Sequence, residues 1–159
     1  MKEFTTDIFS VYDKTWGLLC AGTMENHNAM TISWGGMGTL WGKPVVTVYV
    51  RPNRHTYGFM EDNAYFTVGF LKEEYRGAHS IMGSKSGRDM DKDKESGLTP
   101  CPAGETVMYA EAEATLLCRK IYCQDLDVSA FPEAVREKYY GSEPAHRMYI
   151  GEVVDIIRK

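Results

Sequence analysis

No apolar run in the sequence approaches the roughly 20 residues that a membrane-spanning helix needs, so a membrane role is not expected. The basic excess of a nucleic-acid surface is missing too: 18 Lys and Arg stand against 22 Asp and Glu, a formal net charge of −4. A nucleic-acid partner is therefore not expected, although a local basic pocket remains compatible with that balance. The start, Met1-Lys2-Glu3-Phe4-Thr5-Thr6-Asp7, does not have the pattern of a signal peptide, and a cytoplasmic location is expected. Four cysteines, Cys20, Cys101, Cys118 and Cys123, contain no Cys-x-x-Cys pair of a zinc ribbon or redox site. Cys20 and Cys118 sit among leucines and read as buried apolar thiols. Cys118, Cys123 and His146 lack a familiar ligand spacing, so no metal is expected. Disulfides are disfavoured in a chain without an export signal.

Catalytic signatures are equally scarce. Gly35, Gly36 and Gly38 do not form Gly-x-Gly-x-x-Gly between a strand and a long helix, which leaves a Rossmann dinucleotide site unsupported. Neither a Gly-x-Ser-x-Gly nucleophile turn nor a Gly-Lys-Ser/Thr phosphate loop is present. His79 falls with Tyr75, Ala78 and Met82 on one stripe of a helix predicted over residues 72–82. That spacing suits a packed or partly exposed structural histidine better than a catalytic base. Glu111 and Glu113 read as solvent-facing on one strand.

What is present is a chain of 159 residues with 43% hydrophobic and 25% charged content, enough for one globular domain spanning residues 1–159. No internal repeat or linker divides it. Strands are predicted from Trp16 into a turn near Thr23, from Asn28 to Trp34, over residues 45–50 and 65–71, and from Arg147 to Ile157. Ala110, Ala112 and Ala114 alternate with Glu111 and Glu113, which predicts one half-exposed strand over 107–117, extending towards Tyr122. A helix over 132–140 starts at Pro132 and stops at Gly141. The class is mainly β with peripheral helices. Residues 83–97, with eight charged residues from Lys85 to Glu95, read as a surface loop.

The most informative stretch is the end of the 45–50 strand. Val45-Val46-Thr47-Val48-Tyr49-Val50 is stopped by Pro52, and Asn53 is placed to cap a helix running to about residue 61 or 62. Free helix amides, the positive end of the dipole, Arg51 and Arg54 would then converge where a phosphate can be held. Nearby arginines also serve commonly as solvated surface charges. Met30, Ile32 and Trp34 alternate in the preceding strand, which fits one buried face as well as a binding face.

Taken in order, Asn28-Ala29-Met30-Thr31-Ile32-Ser33-Trp34, Lys43-Pro44, Arg51-Pro52-x-Arg54-x-Thr56, Ser84-Lys85-Ser86-Gly87-Arg88-Asp89-Met90-Asp91-Lys92, Gly97-Leu98-Thr99-Pro100 and Tyr149-Ile150-Gly151-Glu152-Val153 resemble the flavin reductase-like family, and within it the flavoredoxin branch. The resemblance covers most of the chain and implies an FMN-binding split β-barrel of Greek-key type, acting as a homodimer. It implies a cofactor site made of Asn28, Ala29, Met30, Thr31, Ser33 and Trp34 along the flavin ring, with Arg51, Arg54, Thr56 and Ser86 at the phosphate. By the same resemblance, Gly87 is expected to offer a backbone amide from the loop that closes over the flavin. The resemblance likewise implies Lys92 as a cation beside the phosphate or ring, where it would favour the anionic reduced flavin.

No catalytic side chain is implied, since the flavin carries the redox chemistry. The resemblance points to an oxidoreductase, either an NAD(P)H-dependent FMN reductase or a flavoredoxin-like electron-transfer protein fed by a redox partner. A non-catalytic flavin-binding module, acting as a store, sensor or assembly partner, is the alternative. Nothing in the residues marks a nicotinamide site.

Overall fold

The β-branched runs of the sequence become the strands of one antiparallel sheet in the computed structural model, which describes residues 3–158. Its seven strands lie in the order β2-β1-β5-β8-β9-β4-β3. They are β1 (Gly17–Gly22), β2 (His27–Ile32), β3 (Gly35–Leu40), β4 (Lys43–Val50), β5 (Tyr65–Leu71), β8 (Ala112–Asp125) and β9 (Arg147–Arg158). A separate two-stranded ribbon pairs β6 (Pro100–Ala103) with β7 (Thr106–Tyr109). Neighbours in the order are often remote in sequence: Val50 pairs with Arg147 and Phe66 with Cys118. Such interleaving of distant strands is the Greek-key arrangement.

The sheet curls around a core that includes Leu19, Val46, Val48, Phe66, Val68 and Tyr149, all fully or almost fully buried. A second cluster with Leu18, Cys20, Ala29, Met82 and Val107 fills the space between β1, the ribbon and the helices. Successive residues of β1 thus serve opposite faces, Leu18 and Cys20 one core and Leu19 and Ala21 the other, as the two-residue period of a strand requires. Cys20 and Cys118 are buried free thiols.

The helices lie outside the sheet: α2 (His55–Asp62), α3 (Ala78–Ser84), α4 (Lys92–Ser96) and α5 (Glu133–Tyr140), preceded by a single turn, α1 (Ile8–Ser10). Several expectations change. Residues 35–40 form edge strand β3, although glycine disfavours strands, because a hairpin through Trp41 (φ 52°) and Gly42 (φ 70°) folds them onto β4. The helix expected over 72–82 divides into a 3₁₀ turn at Glu73–Tyr75 and α3. Gly77, a poor interior helix residue, stands between them, and Tyr75 stays exposed.

The strand expected over 107–122 breaks at Ala110 and Glu111. The Ala110 amide donates to the carbonyl of Thr99 at 2.9 Å, and a Glu111 carboxylate oxygen accepts the Thr99 amide at 3.0 Å. Those bonds tie the break to the chain leading into β6, so Glu111 belongs to a turn and Glu113 to the exposed side of β8. Within the charged segment 83–97, α4 is ordered by Asp91, whose carboxylate accepts the Lys94 amide. Among the described residues no helix is long and apolar enough to cross a membrane.

Candidate functional site

Strand β2, the loop after β4 with the start of α2, and the segment between α3 and α4 meet at an inner pocket of about 130 Å³. Asn28, Met30, Arg54 and Thr56 line it from one side, and Ser86, Gly87 and Lys92 from the other. Arg54, Lys85, Arg88 and Lys92 all line this pocket, and no acidic residue does so among the described residues. In a chain of net charge −4 this is a local reversal of sign. Two of these cations, Arg88 and Lys92, depress the pKa of His55, second to the effect of its burial.

The partners of each group decide what is free to bind. Arg54, the N-cap of α2, makes no side-chain capping bond and has no hydrogen-bond or ion-pair partner for its guanidinium among the described residues. The helix start therefore offers unsatisfied amides beside an unpaired cation, the arrangement that holds anions. Asn53 does not cap the helix as expected; its amide instead donates to Glu143 at 2.9 Å. Thr56 is buried and accepts the Asn28 side-chain amide at 2.7 Å, which leaves its own hydroxyl proton for another acceptor.

Lys92 is buried, and its ammonium donates to the carbonyls of Ala29 and Met82, both at 2.6 Å. It ties β2 to α3 and forms the floor of the pocket. Burial lowers its pKa to about 8. Gly87 packs so closely on Asn28 that a Cβ there would lie 2.2 Å from the Asn28 Oδ1.

Met30, Arg54 and Gly83 also line an outer cleft of about 220 Å³, so the two spaces form one groove. Thr31, Ser33, Trp34 and Arg51 complete the predicted residues along the cleft, with Tyr49 and His146 opposite. The hydroxyl of Thr31 is already engaged, donating to the His79 carbonyl at 2.9 Å and meeting His79 Nδ1 at 3.0 Å. His79 is thus a buried packing residue. Arg51 is committed to a structural task. Its guanidinium donates to the carbonyls of Pro144 (2.6 Å) and Tyr139 (2.8 Å) and covers the ring of Tyr140. It therefore shapes the cleft rather than offering a free charge.

Eleven of the twelve sequence-predicted site residues border the groove. Ala29 does not: its side chain packs in the second core while its carbonyl holds Lys92. Sequence reasoning missed Arg88, although the motif that contains it was visible, and weighed His146 only as a metal ligand. His146 is buried against Trp34, and its Nδ1 meets the Tyr140 hydroxyl at 2.8 Å. Burial, then Arg51 and Arg54, lower its pKa to about 4, so the ring is neutral at physiological pH. A larger cleft of about 480 Å³ shares Ser33, Trp34, Tyr49 and His146 with the outer one. No group of three or more His, Cys, Asp or Glu suited to a metal occurs among the described residues.

Structures of known proteins share this architecture. A flavoredoxin from Methanosarcina acetivorans is 19% identical with a TM-score of 0.74, covering 100% of this chain and 75% of its own. A split-barrel protein from Shewanella frigidimarina is 17% identical with a TM-score of 0.72, over 92% of this chain and 67% of its own. An FMN-binding protein from Thermus thermophilus, solved with bound 1-cyclohex-2-enone, is 16% identical with a TM-score of 0.71, over 99% of this chain and 80% of its own. No curated protein matches the sequence. The open antiparallel sheet is thus a split β-barrel. The family model for the flavin reductase like domain matches residues 12–159, and the chain belongs to the flavin reductase-like family.

Proposed function

We propose that the groove binds FMN, with the phosphate in the inner pocket and the ring along the outer cleft, and that the protein is a flavin-dependent oxidoreductase. The observation that carries this reading is the inner pocket's set of four cations without a carboxylate, opening directly into a cleft along β2. The residues fit the cofactor: Arg54 has no protein partner to give up, the α2 start is uncapped, and Gly87 leaves its side free of a side chain. The flavoredoxin and the FMN-binding protein among the structural relatives support the same cofactor. When bound, the flavin supplies hydride or single-electron transfer.

The chain's own residues bind and orient. Arg54 and the first α2 amides neutralise the phosphate, Thr56 and Ser86 offer hydroxyls, and Gly87 a backbone amide. Lys92 places a buried positive charge at the floor of the pocket, fixed by two carbonyls. Asn28, Met30, Thr31, Ser33 and Trp34 border the ring's path, and His146 stands neutral across the cleft. No side chain is assigned as acid or base. The protein works as a homodimer in this reading, because an open barrel leaves the edges of β2 and β3 for a second copy to cover.

Purified protein should carry a yellow chromophore that is released and identified as FMN. Arg54→Ala should weaken FMN binding about tenfold, the value of one charge-assisted contact at an exposed position, with an unchanged melting temperature. Unchanged affinity would remove Arg54 from the phosphate site. Anaerobic NADH or NADPH should bleach the bound flavin in a reductase, whereas bleaching only by a reduced ferredoxin-like donor identifies an electron carrier. No reduction by either class would reject redox function in favour of a binding module.

A further inference from the structure

A second polar cluster lies behind the inner wall of the groove and is not explained by cofactor contacts. His27, at the start of β2, places Nδ1 3.0 Å from the Thr23 carbonyl oxygen and Nε2 2.8 Å from Oδ2 of Asp93. A carbonyl and a carboxylate only accept, so both ring nitrogens must donate, and an imidazole with two N–H groups is a cation. Tyr109, on β7, donates its hydroxyl to the other Asp93 oxygen at 2.6 Å. Burial works against the Asp93 carboxylate, yet the bonds from His27 and Tyr109 keep its pKa below the ordinary value.

The cluster is joined to the groove by chain connectivity. His27 precedes Asn28, and Asp93 follows Lys92. Asn28, Gly87 and Lys92 wall both the inner pocket and a cavity of about 180 Å³ on the His27 side. Glu25 and Asp91 line that cavity too, Lys92 is the cation beside Asp93, and Cys20 on β1 lies buried behind Tyr109. His27 and Asp93 thus fasten β2 to α4 at the point where the segment 85–92 turns over the pocket.

We infer that His27 is a positioning residue of the anion pocket: as an imidazolium it clamps α4 to β2, holds Gly87 against Asn28, and loses that grip when it is deprotonated. The inference rests on the FMN reading of the groove but is testable without flavin. The Asp93 bond raises the pKa of His27, the main cause, against the opposing effect of burial. The clamp is therefore fully present below the unfolded value of about 6.5 and is lost as pH rises through the higher folded value. Lys92, whose pKa is lowered to about 8, titrates within the pH range compared, so the comparison needs a variant that keeps it.

Wild type and His27→Gln are compared between about pH 6 and 9. Nitrogen NMR should show both His27 ring nitrogens protonated near neutral pH, and Asp93→Asn should lower the midpoint of that titration. Across the midpoint, the wild-type FMN dissociation constant should rise about five- to tenfold. Amides of residues 85–96 should also lose exchange protection there, relative to His27→Gln. A neutral His27 ring near pH 7, or the same pH dependence of binding and exchange in His27→Gln, overturns the clamp. FMN that fails to bind at any pH, with the NMR and exchange steps intact, defeats the flavin reading and leaves the clamp standing.

Discussion

Gly87→Ala should weaken FMN binding by about a hundredfold or more, equivalent to about 2.7 kcal/mol, while leaving the melting temperature almost unchanged. The added Cβ would lie 2.2 Å from the Asn28 Oδ1 and 3.0 Å from the His55 Cδ2. Asn28 has nowhere cheap to go, since it is 6% exposed and its amide donates to the buried hydroxyl of Thr56. Breaking that buried bond costs more than moving the surface segment, so the segment 85–92 lifts, and this spoils the pocket that Arg54, Thr56 and Ser86 share. Stability is spared because Gly87 is outside both apolar cores. Flavin fluorescence titration together with a thermal melt checks both halves, and wild-type affinity in the variant would place the phosphate elsewhere.

Gly151→Ala should do the opposite, damaging the fold in a protein whose groove residues are untouched. Gly151 lies in β9 opposite Val46, and a Cβ there would come 2.5 Å from the Phe66 Cζ and 2.8 Å from the Cys118 Cβ. Phe66 is 1% exposed and Cys118 fully buried, so neither can yield into solvent. Overpacking of this kind costs about 3 kcal/mol, a fall of roughly 6–12 °C in melting temperature for a domain of this size. A melt within a degree of wild type would mean that the β5, β8 and β9 interface adapts more readily than its packing indicates.

The strands that became the sheet's centre were readable because their residues are β-branched or aromatic and bounded by breakers, as with residues 45–50 before Pro52. Strand β3 was not, because Gly35, Gly36 and Gly38 carry no strand preference and are held by a neighbour. The junction of β4 and α2 was rightly picked as a cation-rich helix start, but three-residue spacing makes Arg51 and Arg54 look equivalent. Only the folded chain separates them, by bringing Pro144 and Tyr139 to Arg51 and leaving Arg54 unpaired. Ala29 was drawn into the site by its neighbours, whereas strand alternation turns its methyl into the second core. The role of His27 depends on Asp93, 66 residues away, and no local pattern carries that information.

The pairing of β4 with β9 also constrains the order in which the molecule is made. Residues 43–50 leave the ribosome well before the strand they need on one flank, residues 147–158. Until that later strand emerges, the flank is an unpaired ladder of backbone donors and acceptors, open to pairing errors. Because Tyr49 from the early strand and His146 beside the late one both wall the outer cleft, no nascent fragment that stops short of residue 146 possesses a complete cleft. Loading of a ligand that fills the outer cleft accordingly waits for these long-range contacts, which close slowly.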